Sequence, residues 1–301
     1  MIESLYTILV NWNLKQDTLD CVASLFAAGA CAGQVIVVDN GSSDGSVQAL
    51  QKQFGAAVHI IESGHNLGFA GGCNLGLAYA LERRAKWIFI LNNDTVVDRA
   101  LFAEWARAVG SGAGYAIIAP LILYFNAPDR IWYLGDRLVP TSLITHSIGR
   151  NQIDKGQFRP LVPVDFICGC GMFIQCEVFE QIGCLDASFF MYAEEVDFCQ
   201  RARTAGFRLA CATRAKIWHK ISVSADRDRP TTRYLRIRNQ IRFYRRYARW
   251  YQAPPLFAFT LLRSLSIALG DLAGRRPALI APLVRGWADG WTGHYSAVQN
   301  D

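Results

Sequence analysis

The sequence has 301 residues, of which 51% are hydrophobic and 19% are charged, and its net charge is +6. This composition is that of a globular chain, long enough for one large α/β domain or two smaller ones, and it excludes a disordered chain. The nine cysteines include no Cys-x-x-Cys and no paired Cys/His spacing. They are therefore expected to be small buried thiols in a reducing compartment rather than disulfides or zinc ligands.

Five short apolar runs alternate with helix-length segments over the first 120 residues, at positions 5–10, 35–38, 58–61, 87–91 and 115–119. The segments 18–28, 46–54, 70–83 and 99–109 carry amphipathic spacing, with Asp17, Asp44 and Asp98 as predicted N-caps. This alternation is typical of βαβ units and predicts a mostly parallel sheet flanked by helices. The opening run is expected to be the first strand rather than a signal peptide.

Two common nucleotide-binding motifs are missing from the expected places. The turn after the first predicted strand is Asn-Trp-Asn-Leu-Lys at 11–15, without the glycines that let a Rossmann turn approach a pyrophosphate. A Gly-Lys-Ser/Thr sequence follows none of the predicted strands, which excludes a P-loop. A nicotinamide-dependent enzyme and a P-loop NTPase are therefore not predicted.

Polar residues instead follow the second and fourth predicted strands. Asp39 closes the second strand in VVDNGSSDGS, and Asp94 follows the fourth in LNNDT. Between them lies HNLGFAGGCNLG, residues 65–76, whose four glycines fit either close helix packing or a backbone that approaches a phosphate. Because ligands of open α/β sheets bind outside the carboxyl ends of the strands, these segments are predicted to form one site.

The order and spacing of VDNGSSDGS, NLGFAGGCNLG and LNNDT resemble the nucleotide-sugar domain of glycosyltransferase family 2, whose members have the GT-A fold. Residues 166–209, which contain FICGCGMF and FFMYAEEVDFC, resemble the acceptor half of that family. The segments IWHKISVSA and YLRIRNQIRFYRR resemble its closing segment, so the resemblance spans about residues 5–246.

The resemblance implies a nucleotide-sugar site with a divalent ion, Mg²⁺ or Mn²⁺. Asp94 takes the metal-holding position of the family's Asp-x-Asp motif, in which Asn92 replaces the first Asp, and His219 matches a metal- or diphosphate-facing histidine. A turn-capping role is the alternative for Asp94. Asp39 is implied to contact the nucleotide base, and the full implied nucleotide-sugar set is Asn11, Asp39, Asn40, Ser42, Asn66, Gly68, Gly71, Gly72, Asn74, Asn93, Asp94 and Arg238.

The resemblance implies that the catalytic base is one of a cluster of three acids. The family pattern Glu-Asp-Val-Asp places the base at Glu195, with Glu194 as the second choice and Asp197 nearby. In a helix that begins near residue 192, positions 194 and 197 share a face with Arg201, whereas position 195 points elsewhere. The alternative is that the helix dipole favours acids at the N-terminus of this helix.

The C-terminal region is strongly basic. Nine arginines and no acid occur from 229 to 263, and Arg238, Arg242, Arg245 and Arg249 form a stripe at helical spacing. The pattern predicts a basic amphipathic helix, which either lies on an anionic membrane surface or packs on the catalytic domain with a solvated arginine face. Residues 253–270 are apolar, but Arg263 splits them and residue 271 is an Asp, so no spanning helix is expected.

The sequence therefore predicts an α/β protein of GT-A fold, with a catalytic domain over 1–228 and a basic helical extension over 229–301. Within the catalytic domain, 1–120 is the nucleotide-sugar half and 121–228 the acceptor half. The resemblance implies an inverting transferase that uses a UDP or dTDP sugar, with rhamnose favoured, and a glycan or lipid-linked acceptor in bacterial envelope polysaccharide synthesis. It is expected in the cytoplasm, peripheral at the inner face of the membrane.

Two other functions stay open at this stage. Asn92 and Glu195 depart from the family pattern, which leaves room for a catalytically inactive binding protein of the same fold. The arginines interleaved with tyrosines after residue 229 would also suit a nucleic-acid binder. That reading leaves the strand-end acids Asp39 and Asp94 without a role, so no nucleic-acid partner is predicted.

Overall fold

We describe a computed structural model of residues 4–139, 142–220 and 229–293. The first four strands form a parallel half-sheet in the order β4-β1-β2-β3, as the apolar runs predict. Each strand extends one residue beyond its predicted end, because the polar residue after the apolar run still pairs with the neighbouring strand. Their bounds are β1 (Leu5–Asn11), β2 (Val35–Asp39), β3 (Val58–Glu62) and β4 (Trp87–Asn92).

Four helices connect these strands and lead out of β4. Asp44 and Asp98 lie just before helices and accept hydrogen bonds from the N–H groups of Ser46 at 3.0 Å and Ala100 at 2.7 Å. None of the three predicted N-caps is the N-cap itself, because these positions are Leu14, Gly45 and Ala100, and Asp17 lies inside the first turn of its helix. The helices are α1 (Lys15–Ala27), α2 (Ser46–Phe54), α3 (Gly68–Glu82) and α4 (Leu101–Gly110).

The second half of the sheet is mixed. The full strand order is β10-β12-β6-β11-β4-β1-β2-β3, in which β11 runs antiparallel to β4 and β6 whereas β12 runs parallel to β6. The predicted parallel arrangement thus describes the first half of the sheet. The added elements are β5 (Thr95–Val97), β6 (Ile117–Tyr124), β7 (Ala127–Tyr133), β8 (Asp136–Leu138), β9 (Thr145–Ser147), β10 (Leu161–Val164), β11 (Gly171–Gln175), β12 (Leu209–His219), α5 (Cys176–Ile182) and α6 (Glu194–Thr204).

An aromatic cluster joins the two halves. Phe89 on β4 lies opposite Phe173 on β11, and their rings stack with centroids 3.8 Å apart. Trp105 from α4 stacks on the Phe173 ring at 4.9 Å, and all three side chains are buried. Since a slip of one residue would turn these rings to the opposite face, the cluster helps to fix the register of β11 against β4.

Two glycines of the glycine-rich segment allow α3 to pack closely on β1. A Cβ atom at Gly72 would lie 2.8 Å from a methyl carbon of Val10, and one at Gly76 would lie 2.6 Å from a methyl carbon of Ile8. The packing alternative therefore accounts for these two glycines. All nine cysteines lie within the described residues and are free, as predicted.

The remaining described helices are α7 (Pro230–Tyr247), α8 (Ala253–Ala273) and α9 (Ile280–Thr292). By its contacts the chain divides into two compact units, one with the sheet and one with these helices together with Leu138–Thr145 and Ser188–Glu194. We call the second the helical unit. In it, α7 and α9 approach closely at Gly286, where a Cβ atom would lie 2.5 Å from a methyl carbon of Ile237.

The predicted solvated arginine stripe on α7 is wrong. Arg238 and Arg242 are buried, and α7 ends at Tyr247, so Arg249 lies outside the helix. The spacing correctly places arginines on one side of α7. Of the three stripe arginines on α7, Arg238 and Arg242 are buried and Arg245 is exposed.

We expect Gly76→Val to lower the free energy of unfolding by about 1 to 3 kcal/mol, because the added side chain must displace Ile8 or move α3 away from β1. Denaturant unfolding measures this difference. Gly110→Ala, at the end of α4, is the control because a Cβ there meets nothing within 4 Å. Equal unfolding free energies for the two variants would contradict the packing role of Gly76.

Candidate active site

The antiparallel pairing of β5 with β12 brings His219 to the end of β4. Thr95 at the start of β5 lies opposite His219 at the end of β12, although the two residues are far apart in sequence. The N–H of Lys220 also donates a 2.8 Å hydrogen bond to the carbonyl of Asp94. Two segments predicted separately, LNNDT and IWHK, therefore meet at one place.

Asp94 and His219 form a buried pair that suits a divalent cation. The Nε2 atom of His219 lies 3.0 Å from Oδ1 and 3.1 Å from Oδ2 of Asp94. The opposite ring nitrogen, Nδ1, is buried and has no hydrogen-bond partner within the described part of the chain, and the ring of Trp132 packs edge-on at 4.6 Å. Nε2 is thus the ring nitrogen that the structure directs toward the carboxylate.

The donor set fits a cation that keeps other ligands. Within residues 4–139, 142–220 and 229–293, no group of three His, Cys, Asp or Glu side chains could hold a metal. Mg²⁺ in particular is often bound by one or two carboxylates, with substrate phosphates and waters completing its octahedron. Asp94 and His219 would hold such an ion, which would neutralise negative charge on a departing phosphate.

Four of the predicted nucleotide-sugar residues form one buried polar network at the carboxyl ends of β1, β2 and β4. Asn11 donates to the carboxylate of Asp39 at 2.9 Å and to the hydroxyl of Ser42 at 3.0 Å. Its Oδ1 accepts hydrogen bonds from Asn93 at 3.1 Å and from Thr18 at 2.8 Å. Thr18 was missed, because a threonine inside a predicted helix gives no sign of contacts with Asn11 at the end of β1 and Asn93 after β4.

Asp39 is oriented by this network. Its Oδ2 accepts a 2.9 Å hydrogen bond from the N–H of Ser42, which closes the turn after β2. The turn passes close to the backbone of His65, because a Cβ at Gly41 would lie 2.8 Å from the His65 Cα atom. Hydrogen bonds thus fix the carboxylate that is predicted to contact the base.

The start of the glycine-rich segment is held by asparagine side chains. Asn40 donates to the carbonyl of Gly68 at 3.0 Å and to Asn66 at 3.2 Å, and it accepts a hydrogen bond from the N–H of Leu67. Asn66 accepts a 2.9 Å hydrogen bond from the N–H of Gly68. The N–H groups of residues 67 and 68 are therefore engaged by side chains. A phosphate role for this backbone stays a prediction.

Two further residues of that segment have packing contacts. A Cβ at Gly71 would lie 2.8 Å from the Cβ of Leu67, the residue just before α3. Asn74 donates a 2.9 Å hydrogen bond to the carbonyl of Leu185, which follows α5. Its Oδ1 is buried and has no hydrogen-bond partner in the described ranges.

The turn before β11 lies at the end of β4, which Asp94 follows, and Glu195 of α6 lies beside this turn. The N–H of Asn92 donates a 3.0 Å hydrogen bond to the carbonyl of Cys170. At the adjacent Gly169, a Cβ would lie 3.1 Å from the ring of Phe69 and 3.7 Å from the Cβ of Glu195. The glycine-rich segment, the GCG turn and the acidic motif therefore converge at this turn.

The carboxylates of Glu195 and Asp94 each contribute to a raised thiol pKa in this turn. Burial is the main cause that raises the pKa of Cys168 well above its ordinary value, and the Glu195 carboxylate contributes. Burial likewise raises the pKa of Cys170, and the Asp94 carboxylate contributes there. Both carboxylates therefore influence thiols of one short turn.

The three acids of α6 differ in their surroundings. Asp197 is fully buried and accepts a 2.8 Å hydrogen bond from Nε of Arg201, as their helical spacing predicts. Arg201 also donates to the carbonyls of Ile182 and Cys184, so this ion pair ties α6 to the end of α5. Glu194 is buried, whereas Glu195 is partly exposed beside Gly169. Glu195 stays the predicted base, with Glu194 as the second choice.

A second missed residue, Asn239 on α7, shapes the segment before α6. Its Nδ2 lies 2.8 to 2.9 Å from the carbonyl oxygens of Phe189, Met191 and Tyr192. Phe190, Tyr192 and Ala193 have φ angles of 67°, 70° and 69°. Non-glycine residues rarely adopt this conformation, so the contacts with Asn239 stabilise a backbone that is otherwise unfavourable.

Arg238 belongs to the same buried cluster in the helical unit. Its Nε donates to Asn239 at 2.8 Å, and its Nη2 donates to the carbonyl of Phe189 at 3.2 Å. These contacts give Arg238 a structural role. The predicted contact with a diphosphate stays a prediction.

Lys220 is a third residue that the sequence analysis missed. Its ammonium donates to Asp17 at 2.8 Å and to Asp20 at 2.6 Å, which ties the end of β12 to α1. Burial alone would lower the pKa of Lys220, but the hydrogen bonds to the two carboxylates outweigh it and the pKa is raised. For Asp20, burial raises the pKa, but the hydrogen bond from Lys220 and others outweigh this effect and lower it.

The sheet, the ordered strand-end network and the Asp94–His219 pair define a glycosyltransferase fold of the GT-A type, and solved structures agree with it. The chain aligns with the crystal structure of GalNAc-T7 with UDP, GalNAc and Mn²⁺ at a TM-score of 0.62 and 13% identity, covering 82% of this chain and 48% of that one. It aligns with the mannosyltransferase PcManGT from Pyrobaculum calidifontis, in complex with GDP-Man and Mn²⁺, at a TM-score of 0.57 and 12% identity. The second alignment covers 96% and 87% of the two chains.

The chain belongs to glycosyl transferase family 2, whose family-wide pattern matches residues 6–183. It is 33% identical over 204 residues to the low-salt glycan biosynthesis hexosyltransferase Agl10 of Haloferax volcanii, covering 67% of this chain and 62% of that relative. It is 27% identical over 278 residues to the N-acetylglucosaminyl-diphospho-decaprenol L-rhamnosyltransferase of Mycobacterium tuberculosis, covering 82% and 85%.

We expect Asn239→Leu to lower the free energy of unfolding by about 2 to 4 kcal/mol, because buried carbonyl groups lose their hydrogen-bond donor. Hydrogen exchange at residues 189–194 should also become faster. Gln240→Leu, at the half-buried neighbouring position, is the control and should cost less than about 1 kcal/mol. Unchanged exchange in Asn239→Leu would contradict the role assigned to this side chain.

We expect Lys220→Met to remove up to about 1 kcal/mol of stability near neutral pH. The contribution is fully present between the ordinary pKa values of 3.8 for Asp20 and 10.5 for Lys220. It is lost as the pH falls through the lowered pKa of Asp20, or rises through the raised pKa of Lys220. Unfolding at about pH 7 and about pH 2 measures it, and an equal difference between the two proteins at both values would contradict the ion pair.

Proposed function

We propose that this protein is an inverting glycosyltransferase that moves a sugar from a nucleoside diphosphate to a hydroxyl group of a glycan or lipid-linked acceptor. The observation that carries the proposal is the convergence of Asp94, His219 and Glu195 around the carboxyl end of β4. One side of this place offers ligands for a cation and phosphate, and the other offers a proton acceptor. A single-displacement transfer uses a proton acceptor for the acceptor hydroxyl and a group that stabilises charge on the leaving diphosphate.

The roles of the residues follow from the bonds that change. The acceptor oxygen forms a bond to the anomeric carbon as the bond from that carbon to the β-phosphate oxygen breaks, and the acceptor proton moves to Glu195. A carboxylate in this role typically contributes a factor of about 10² to 10⁴ to the rate. Charge that develops on the departing diphosphate is met at Asp94 and His219 through the divalent ion they would hold.

The donor is proposed to be a UDP or dTDP sugar, with rhamnose favoured. The hydrogen-bonded carboxylate of Asp39 suits the N–H of a uracil or thymine ring, and Ser42 and Asn11 lie beside it for contacts with the ribose. A relative in Mycobacterium tuberculosis is named as a rhamnosyltransferase that acts on a lipid diphosphate, and one in Shigella flexneri is named as a dTDP-rhamnosyl transferase. These names support the choice of sugar and a role in envelope glycan synthesis.

The same site leaves a second candidate, a binding protein without transferase activity. Asn92 supplies no carboxylate where the family motif has its first Asp, and its backbone N–H and carbonyl are used within the fold. A single carboxylate with one histidine still matches the ligand number of many magnesium sites. Nucleic-acid binding is disfavoured, because two of the four arginines of the predicted stripe are buried.

We expect Glu195→Gln to lower kcat by about 10²-fold to 10⁴-fold while binding of UDP or dTDP with Mn²⁺ is kept, because the amide removes the proton acceptor and preserves its shape. Asp94→Asn should weaken Mn²⁺-dependent nucleotide binding in calorimetry and also abolish transfer. Glu180→Gln, at an exposed position on α5, is the matched control and should leave both unchanged.

The outcomes separate the candidates. Full transfer by Glu195→Gln would reassign the base, and Mn²⁺-dependent binding that survives Asp94→Asn would overturn the cation site. A wild-type protein that binds nucleotide with Mn²⁺, but transfers no sugar from any donor to any acceptor, would establish the binding protein. Thermal shifts with a panel of nucleotide sugars at equal concentration identify the donor, since a ligand that binds the native state raises its stability more the lower its Kd is.

A further inference from the structure

Over most of its length, helix α8 buries polar side chains and exposes apolar ones, which is the reverse of an ordinary surface helix. Its buried positions are Leu256 near its start and three polar residues, Thr260, Ser264 and Asp271, whereas the five leucines from 261 to 272 are exposed. Leu262 is 66% exposed and Leu269 is 67% exposed. A surface helix normally turns its apolar side toward the protein and its polar side outward, so α8 presents the opposite arrangement.

The exposed leucines form one continuous stripe. Successive residues of a helix are about 100° apart, so leucines spaced by one, three or four positions fall within a sector about 100° wide. An apolar stripe of this width in water is unfavourable, and contiguous apolar surfaces mark contacts with a partner or a membrane. We call this stripe the leucine face, and its members are Leu261, Leu262, Leu265, Leu269 and Leu272.

The polar side of α8 is fixed against the rest of the helical unit. Asp271 accepts hydrogen bonds from Arg233 on α7 at 3.0 Å and forms an ion pair with Arg276 at 3.3 Å. The hydroxyl of Thr260 lies 3.3 Å from Nε1 of Trp287 and 3.2 Å from Nε1 of Trp291, both on α9. Rotation of α8 would break these contacts and leave a buried carboxylate unpaired, so the leucine face cannot turn inward.

The surroundings of the leucine face are cationic and aromatic. Arg249 and Arg275 are exposed just before and just after α8. Trp250 is 87% exposed at the start of the same segment. Both acids between 229 and 293, Asp271 and Asp289, are engaged with arginines of the unit. An open depression of about 500 Å³ in the same unit is lined by Arg242, Arg245, Arg246, Thr292 and Gly293.

We propose that the leucine face of α8 docks this protein on an anionic phospholipid bilayer, with the helix lying in the interface and the arginines near the headgroups. Trp side chains are enriched at this depth, and amphipathic segments with cationic flanks bind anionic lipid through buried apolar area and charge together. The sequence-based prediction assigned the membrane contact to the basic helix together with the apolar segment 254–269 that follows it, and the present proposal assigns it to one face of α8. It does not depend on the proposed transferase activity.

Two other occupants fit the charges less well. By length and composition the segment Trp250–Ala273 could cross a membrane. If α8 spanned the membrane, Asp271 and its ion-pair partner Arg233 would enter the hydrocarbon region, and the arginine-rich α7 would be drawn in with them. A second copy of the chain could cover the leucines, but a two-fold contact would bring the same flanking arginines together. An anionic bilayer accommodates both sets of side chains, because the leucines can enter its apolar layer and the arginines can contact its headgroups.

The test is flotation of the full-length protein with two kinds of vesicle, one of phosphatidylcholine and one of equal parts phosphatidylcholine and phosphatidylglycerol. We expect partition to be stronger on the anionic vesicles and to weaken with added salt. Leu262→Asn combined with Leu269→Asn should lower partition more than about tenfold, because two apolar side chains no longer enter the bilayer. Arg249→Gln combined with Arg275→Gln should weaken binding to the anionic vesicles by more than about tenfold.

Ala23→Asn combined with Ala27→Asn is the matched control, since it adds the same groups to exposed positions of α1 and should leave partition unchanged. The wild-type and leucine variants should unfold at the same temperature, because the leucines are exposed. Partition that survives the leucine substitutions overturns the proposal, as does protein that resists removal by alkaline carbonate, which would indicate a spanning helix. A dimer in light scattering that the leucine variant dissolves, without vesicle binding by the wild type, would assign the face to a second copy.

Discussion

The pairing of β5 with β12 is the constraint on which the candidate site depends. It sets Thr95 opposite His219, and so brings an imidazole from late in the chain to the carboxylate of Asp94. Side chains alternate between the faces of a strand, so a slip of one residue would turn His219 away from Asp94. The network of Asn11, Asp39 and Asn93 forms at the neighbouring strand ends because β1, β2 and β4 are parallel and end at the same edge.

A second pairing supplies the other side of the site. The stacked rings of Phe89 and Phe173 lie in the core between β4 and β11, and the chain reaches the end of β4 at the turn before β11. Gly169 in that turn is close to Glu195. A hydrophobic contact in the middle of the sheet thus helps to determine where the carboxylate proposed as the base lies at its edge.

The sequence predicts the first half of the fold well, because β-strands and helices there follow the local periodicity of their own residues. It also indicates most residues of the strand-end network, since these follow apolar runs directly. Thr18, Lys220 and Asn239 were missed because their roles arise from contacts with residues far along the chain, which periodicity does not report. The predicted N-caps Asp17, Asp44 and Asp98 lie one to three residues from the observed ones, an error typical of helix ends.

The C-terminal region shows the same limit in another form. The sequence indicates an arginine stripe and an apolar segment, but not which side of each helix faces the protein. Two arginines of α7 are buried against the segment before α6, whereas the leucines of α8 face outward. Orientation of this kind depends on the packing of three helices together and on polar contacts such as that between Asp271 and Arg233.

A crystal structure of the protein with dTDP and Mn²⁺ tests the central claim most directly, because the anomalous signal of manganese locates the ion without assumptions about the ligand. The account predicts a peak bound by the carboxylate of Asp94 and Nε2 of His219, with a diphosphate oxygen as a further ligand and Glu195 across the same cleft. A manganese peak elsewhere in the molecule, with Asp94 still bonded to His219, would contradict it.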